Sequence, residues 1–138
     1  MQKPAPQELV ALARSAARFT YSPYSNFPVG AALLCADGSI FTGANVENRS
    51  FGLSNCAERS ALFAAVSQGR SAFVAIAVSC PAAATAVSPC GACRQALSEF
   101  CAPDMPVYYA GRDDRYLATT IGELIPSDSL HDLKKALP

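Results

Sequence analysis

The sequence predicts an α/β domain of three layers, α/β/α, built around a mixed sheet of about five strands. Three observations support this fold class. Apolar runs of strand length alternate along the chain with stretches of helical periodicity. The dipeptide Asp37–Gly38 separates two of these runs, as expected in a β-hairpin. Later strands are joined through helices and should run parallel, so the sheet is mixed and carries helices on its faces.

The first half of the chain predicts a helix, a hairpin and a second helix. Small and apolar residues recur at helical spacing over 7–19. Two apolar runs, 28–35 and 40–46, are the strands of the hairpin. Residues 56–68 predict the second helix, and Gly69 is a typical residue to end it.

The second half of the chain predicts two more helices and three more strands. Phe73–Ser79 is a continuous apolar run, typical of a strand that is buried on both faces. Residues 91–100 predict the third helix, followed by a short strand over 107–110 and a weaker one near Leu117. The segment Thr120–Glu123 has the spacing of a capping box, which opens a last short helix.

Length and composition narrow the class of function. A chain of 138 residues predicts one domain over 1–138. Its formal net charge is zero and its basic residues are scattered, so a small substrate is favoured over a nucleic acid polymer. No run approaches the ~20 apolar residues of a membrane span, and the first residues lack the apolar segment of a signal peptide. We therefore expect a cytoplasmic protein without a membrane partner.

Three cysteines and one glutamate form the most informative motif. Cys56 stands two residues before Glu58, and Cys90 and Cys93 lie three apart, on one face of a helix that starts there. A structural zinc site takes four protein ligands, whereas a catalytic site takes three and leaves a position for water. Three cysteines beside a glutamate that is not needed as a ligand predict one catalytic Zn²⁺ per chain, with Glu58 moving protons.

The spacing of the motif also predicts where its residues lie on the helices. Within a helix interior Cys56 and Glu58 would face different directions, so both reach one site only from the first turn. We expect Asn55 to be the N-cap of that helix. Two helix N-termini would then point their positive ends at the cluster and favour thiolates over thiols.

Two other interpretations of the cysteines are open. All of them could be core residues, a common environment for free cysteine. A structural zinc site would instead need a fourth ligand, for which the candidates are Cys35, Cys80, Cys101 and His131. We expect the first three to pack in the core and His131 to be solvated. In either of these alternative interpretations, Glu58 would only complement the dipole of the helix.

The residues around these ligands resemble the cytidine deaminase family in its small, homotetrameric, three-cysteine form. The resemblance rests on Asn55–Arg59 and Pro89–Gln95 and extends to Tyr21–Ala32 and Gly43–Asn48. It implies zinc-dependent hydrolysis of cytidine, and of deoxycytidine, to the uracil nucleoside and ammonia, in pyrimidine salvage. Blasticidin-type deaminases are similar in the zinc motif but lack the segment Asn45–Asn48, so the nucleoside is the expected substrate.

The resemblance also implies roles for individual residues. One group lines the substrate pocket or binds the nucleoside, and another supports the ligands or a neighbouring subunit. The resemblance implies that Phe27 forms a wall of the pocket and that Asn45 and Glu47 hydrogen-bond the ribose. It implies that the Ala57 amide donates a hydrogen bond to the base carbonyl and that Arg59 donates hydrogen bonds to the ligand sulfurs. It also implies that Phe51 contributes to the pocket of a neighbouring subunit.

Overall fold

The computed structural model describes residues 3–133. Four helices and five strands alternate largely as the sequence predicts. In chain order they are α1 (Pro6–Ala16), a 3₁₀ turn (Ala17–Phe19), β1 (Gly30–Cys35), β2 (Ile40–Ala44), a 3₁₀ turn (Phe51–Leu53), α2 (Ala57–Ser67), β3 (Phe73–Ser79), α3 (Gly91–Phe100), β4 (Pro106–Ala110), β5 (Tyr116–Thr120) and α4 (Ile121–Leu124).

The five strands form one mixed sheet in the order β2-β1-β3-β4-β5. The hairpin strands β1 and β2 are antiparallel, with Gly30 opposite Ala44. Strand β3 is antiparallel to β1 and parallel to β4, and β4 is antiparallel to β5. The predicted mixed, five-stranded sheet is therefore confirmed.

Helices cover both faces of this sheet. On one face, Ala32 and Leu34 of β1 join a buried cluster with α1. On the other face, Leu33 of β1 and Ile76 of β3 join a buried cluster with α2 and α3. Successive residues of a strand point to opposite faces, so the central strands are apolar throughout. The layers are thus α1, the sheet, and the pair α2 and α3.

Helix α2 lies unusually close to strand β2. A Cβ atom built at Gly43 would lie 2.6 Å from the backbone nitrogen of Ala61 and 2.7 Å from the carbonyl oxygen of Ala57. Real side chains do not approach backbone atoms so closely, so glycine is required here. This contact fixes the first turn of α2 against the sheet.

The prediction that Asn55 caps α2 is wrong, because the N-cap is Cys56. Asn55 instead pairs with Val46 in an isolated antiparallel bridge, which keeps its backbone extended. Its amide nitrogen Nδ2 donates a hydrogen bond to Ser60 Oγ at 3.2 Å. Because this bridge keeps Asn55 extended, the N-cap of α2 lies one residue later than predicted, at Cys56.

Two sequence signals at helix ends are confirmed. Gly69, just after α2, has a φ of 88°, a conformation that favours glycine. Thr120 caps α4, because its Oγ1 accepts a hydrogen bond from the Glu123 amide at 3.2 Å. Across residues 3–133, none of the helices combines the length and the hydropathy that crossing a membrane requires.

Candidate active site

The first turn of α2 brings one sulfur and one carboxylate to the same end of the sheet. Cys56, at the N-cap, has an extended backbone with φ −76° and ψ 156°. Glu58 follows in the first turn, and its side chain is only 4% exposed. Arg59 donates a hydrogen bond from Nη2 to Cys56 Sγ at 3.3 Å. A cation therefore sits directly beside the sulfur.

The first turn of α3 supplies two more sulfurs. Cys90 is the N-cap of α3, and Cys93 lies in its first turn. The Cys56 and Cys90 sulfurs are 3.7 Å apart, and all three sulfurs lie within 4.8 Å of one another. Over the described residues this is the single group of His, Cys, Asp and Glu side chains close enough to hold a metal ion. Hence residues 3–133 offer no fourth ligand for a closed zinc site.

The electrostatics of the three thiols indicate that together they bind a cation. A hydrogen bond from Cys93 lowers the pKa of Cys56 to about 5, with Arg59 contributing. The same bond to Cys56 raises the pKa of Cys93, as does its burial. Adjacent thiolates repel, so full ionisation of the three sulfurs requires a compensating positive charge. Three soft, closely spaced donors that need a positive charge to ionise together fit Zn²⁺.

The Glu58 carboxyl lies beside the sulfurs in a desolvated position. Burial raises its pKa to about 7, and the negative charge of Cys56 adds to this shift. A carboxyl with such a pKa can both accept and release a proton near neutral pH. Glu58 therefore has the placement and the acidity of a general acid–base group.

A cavity of about 440 Å³ opens over these residues. Its volume lies within the roughly 300–1,000 Å³ of typical small-molecule sites. It brings together most of the residues predicted for substrate binding, and its described lining carries no basic side chain. The predicted residues that line it are Phe27, Asn45, Glu47, Cys56, Ala57, Glu58 and Cys90.

Asn45 also organises the cavity wall. Its Nδ2 donates to the Phe27 carbonyl oxygen at 2.8 Å. Its Oδ1 accepts hydrogen bonds from the Val29 amide at 2.9 Å and from Thr20 Oγ1 at 2.6 Å. The asparagine thus fixes the backbone on both sides of Pro28, directly after Phe27, a function that its position near a strand end did not reveal.

Glu47 is anchored to the same wall. Its Oε1 accepts hydrogen bonds from the Tyr24 and Ser25 amides at 3.0 and 3.1 Å, and Ser25 Oγ donates to its Oε2. These bonds, with the Ser25 hydroxyl contributing most, hold the pKa of Glu47 below its usual value. The carboxylate is therefore ionised at neutral pH and fixed at the cavity.

Phe51 is exposed and does not line the cavity of its own chain. Its ring is 73% exposed and makes an edge contact with Tyr24, with ring centroids 5.8 Å apart. The side chain is available to another molecule, as a residue that reaches a neighbouring subunit would be.

The remaining cysteines divide between core and cavity. Cys35 and Cys101 belong to the main buried cluster, as predicted, and His131 is exposed. Cys80 is buried but also lines the cavity, and burial raises the pKa of its thiol to about 11. Its placement at a strand end facing the ligand helices could have signalled this. All six cysteines of the chain are free thiols.

The sequence interpretation also missed residues on the far wall of the cavity. Val87 and Ser88 line it next to Cys90. Arg94, which follows Cys93, donates to Ser88 Oγ at 2.9 Å and to the Pro89 carbonyl oxygen at 2.7 Å. Residues 84–89 have no helical or strand pattern, so only the folded chain reveals these contacts.

Comparison with known proteins agrees with this fold and site. The family model described as the cytidine and deoxycytidylate deaminase zinc-binding region matches residues 4–109. Because this match covers most of the chain, the protein belongs to that family of zinc-binding deaminases.

Several similar proteins are cytidine deaminases. The chain is 48% identical to the cytidine deaminase of Sporosarcina psychrophila, with 87% of this chain and 88% of that protein covered. It is 50% identical to the cytidine deaminase of Halalkalibacterium halodurans, with 87% and 90% covered. The crystal structure of cytidine deaminase from Burkholderia pseudomallei matches with a TM-score of 0.83 and 45% identity, over 86% of this chain and 94% of that one.

Proposed function

We propose that this protein is a zinc-dependent cytidine deaminase that hydrolyses cytidine to uridine and ammonia. The observation that carries the proposal is the buried Glu58 carboxyl beside three sulfurs, at one end of a cavity of small-molecule size. The cytidine deaminases of similar sequence support the choice of reaction.

The metal ligands in this proposal are Cys56, Cys90 and Cys93. When bound, Zn²⁺ supplies acidified water at neutral pH, since it lowers the pKa of a bound water far below that of bulk water, to about 7. The dipoles of α2 and α3 and the Arg59 guanidinium offset the negative charge of the thiolates. Zinc is thus the one cofactor that the site needs.

Glu58 moves the protons of the reaction. Its carboxylate takes a proton from the attacking water and delivers it to ring nitrogen N3, while the water oxygen bonds to C4. It then takes the proton of the new C4 hydroxyl and gives it to the amino nitrogen. The C4–N bond breaks, ammonia leaves and the C4 carbonyl of uridine remains. Burial keeps the pKa of the carboxyl, about 7, suitable for both transfers.

The other predicted residues hold the nucleoside in position. In this proposal Phe27 packs against it, the Ala57 amide donates to the base carbonyl, and Asn45 and Glu47 hydrogen-bond the ribose hydroxyls. Both polar residues are already fixed by the wall, so little ordering is required when substrate binds. Binding of the sugar thereby orients C4 for attack. Deoxycytidine, which keeps the 3′-hydroxyl, is included as a substrate.

The cavity favours a nucleoside over a nucleotide or a polymer. Its lining over the described residues contains the acidic side chains Glu47 and Glu58 and no lysine, arginine or histidine. A phosphate group would need such cations or a helix N-terminus, and the two helix ends are committed to the sulfurs. The proposed reaction therefore belongs to the salvage of free pyrimidine nucleosides.

The oligomeric state and the cellular compartment of the protein are also proposed here. We propose a single domain over 1–138 that forms a homotetramer, with Phe51 of one subunit entering a neighbour's pocket. Large exposed apolar side chains support association: Phe19 is 71%, Phe51 73% and Leu53 71% exposed. The free thiols of the ligand set support a reducing cytoplasm.

Uridine formation tests the function. Purified protein should convert cytidine to uridine with release of ammonia, lose the activity when zinc is removed by a chelator, and regain it when zinc is restored. Cytosine, which lacks the ribose, should be a far poorer substrate. Efficient turnover of blasticidin S with none of cytidine would assign the site to the other deaminase type. A protein that binds zinc but deaminates neither would be a structural zinc module.

A further inference from the structure

Arg94 forms an unusual set of contacts beside the cavity. Its half-buried guanidinium uses three nitrogens for three acceptors. Nε donates to the Pro89 carbonyl oxygen at 2.7 Å, Nη2 to Ser88 Oγ at 2.9 Å and Nη1 to the Leu124 carbonyl oxygen at 3.0 Å. All three acceptors are uncharged oxygens, two of the backbone and one of a side chain, so Arg94 joins two segments of the chain and is not simply one half of an ion pair.

The segment that Arg94 holds forms one wall of the cavity. Residues 80–90 connect β3 to α3 without a helix or strand. The start of this connection is fixed by backbone hydrogen bonds, from Cys80 to Ala110 at 2.9 Å and from Arg112 to Ala83 at 2.7 Å. Within the described chain, the hydrogen bonds that reach residues 84–89 are both donated by Arg94.

The third contact connects this wall to the core. Leu124 ends α4 and packs against the main buried cluster of the protein. The guanidinium therefore bridges a wall that lacks other hydrogen bonds and a helix that is supported by the core. Arginine suits this task because its planar fork presents several donors in fixed directions.

We propose that Arg94 is a positioning residue that holds the Ser88–Pro89 wall against the base-binding end of the cavity. The wall contacts bound nucleoside before and during the reaction, so its loss should weaken binding more than it slows the chemical step. The kinetic part of this inference rests on the proposed cytidine deaminase activity.

Substitution by lysine tests the arrangement. Arg94→Lys keeps the charge but has a single ammonium group, which cannot bridge the three acceptors. We expect KM for cytidine to rise about 10–100-fold, the size of effect found when residues that support the ligands of a metal site are replaced, with a smaller fall in kcat. Zinc content should remain one per chain. Arg94→Gln should behave alike, because the fork and not the charge is required.

Arg70→Lys is the matched control. Arg70 also donates to a carbonyl oxygen, that of Gln68, at 3.0 Å and pairs with Asp37 at 3.1 Å, but at the far end of α2. Its substitution should leave KM and kcat unchanged. A normal KM in Arg94→Lys would overturn the inference, since charge alone would then suffice. Loss of zinc from that variant would also overturn it, by placing the effect on the ligands.

Nuclear magnetic resonance tests the same inference without reference to activity. In the wild-type protein the Arg94 guanidinium should show hindered rotation, and the Val87 and Ser88 amides should have order parameters near the ~0.85 of rigid backbone. In Arg94→Lys the two order parameters should fall while those in α2 stay the same. A freely rotating guanidinium, or a wall that is equally rigid in both proteins, would contradict the inference. These signals do not depend on turnover, so an inactive wild-type protein would count only against the proposed function.

Discussion

Helices α2 and α3 each bring a cysteine to the cavity at the N-cap, and each carries an arginine close behind it. Arg59 donates to a ligand sulfur at 3.3 Å. Arg94 donates to Ser88, Pro89 and Leu124, none of them a metal ligand. Two arginines at nearly equivalent helix positions thus make different contacts. We propose that Arg59 offsets the charge of the thiolates and that Arg94 fixes the shape of the cavity.

The two helices also differ in how the fold supports them. Glycine at 43 allows the first turn of α2 to lie directly on β2. At the start of α3, Gly91 makes no comparable contact, since a Cβ built there would meet nothing within 4 Å. The first turn of α2 is therefore placed directly by the sheet. We propose that the N-terminus of α3 depends more on the connecting loop that Arg94 holds.

The largest expected effect is loss of the zinc that the cysteines of α2 and α3 are proposed to bind together. Cys56→Ser and Cys93→Ser, one from each helix, should both lose zinc and with it nearly all cytidine turnover, because the part of the chain that the structure describes has no spare ligand near the sulfurs. Metal analysis and a uridine assay measure the two losses.

Cys101→Ser provides the control for that experiment. Cys101 is buried in the core, away from the ligand group, so the variant should keep one zinc per chain. Zinc loss in this variant comparable with that in Cys93→Ser would show that the metal lies elsewhere or that a structural, four-ligand site exists.

The variant Arg59→Gln should distinguish the function of Arg59 from that of Arg94. With less positive charge beside the thiolates, the site acidifies water less well, so kcat should fall about 10–100-fold. The acid limb of the kcat profile should move to higher pH, since the nucleophile then forms only at higher pH. KM for cytidine should change little, in contrast to Arg94→Lys. The same KM defect in both variants would remove the distinction between the two residues.

The smallest expected effect concerns the two glycines. Gly43→Ala should destabilise the protein by about 1–3 kcal/mol, the usual cost of overpacking, because the new methyl would collide with the α2 backbone. Gly91→Ala should leave the free energy of unfolding within about 0.5 kcal/mol, as expected of an open surface position. Urea unfolding measures both. Equal stabilities would mean that α2 is not held by this contact.

The sequence predicted those parts of the fold that depend on local pattern. Strand Phe73–Ser79 and helix Gly91–Phe100 have the predicted bounds, because a continuous apolar run and a small-residue turn delimit them. The N-cap of α2 was misassigned because the bridge between Asn55 and Val46 joins residues that are distant in sequence. Intrinsic capping preference is overridden there by tertiary pairing.

The site was predictable to a similar degree. Cys56, Cys90 and Cys93 could be recognised because metal ligands have restricted spacings and residue types. The structural function of Asn45 could not, since its three partners lie in a loop that precedes it by 16 residues or more. Arg94 was missed for the same reason: its acceptors belong to a loop and to α4, which the sequence does not bring together.

The proposed reaction depends most directly on Glu58 as the carrier of protons at a zinc site. The decisive measurement is kcat for cytidine in Glu58→Gln, a substitution that keeps the size of the side chain, with zinc measured in the same sample. We expect one zinc per chain and a loss of at least about 10²–10⁴-fold, the usual contribution of general acid–base catalysis. A variant that holds its zinc and turns over cytidine at nearly the wild-type rate would contradict the mechanism.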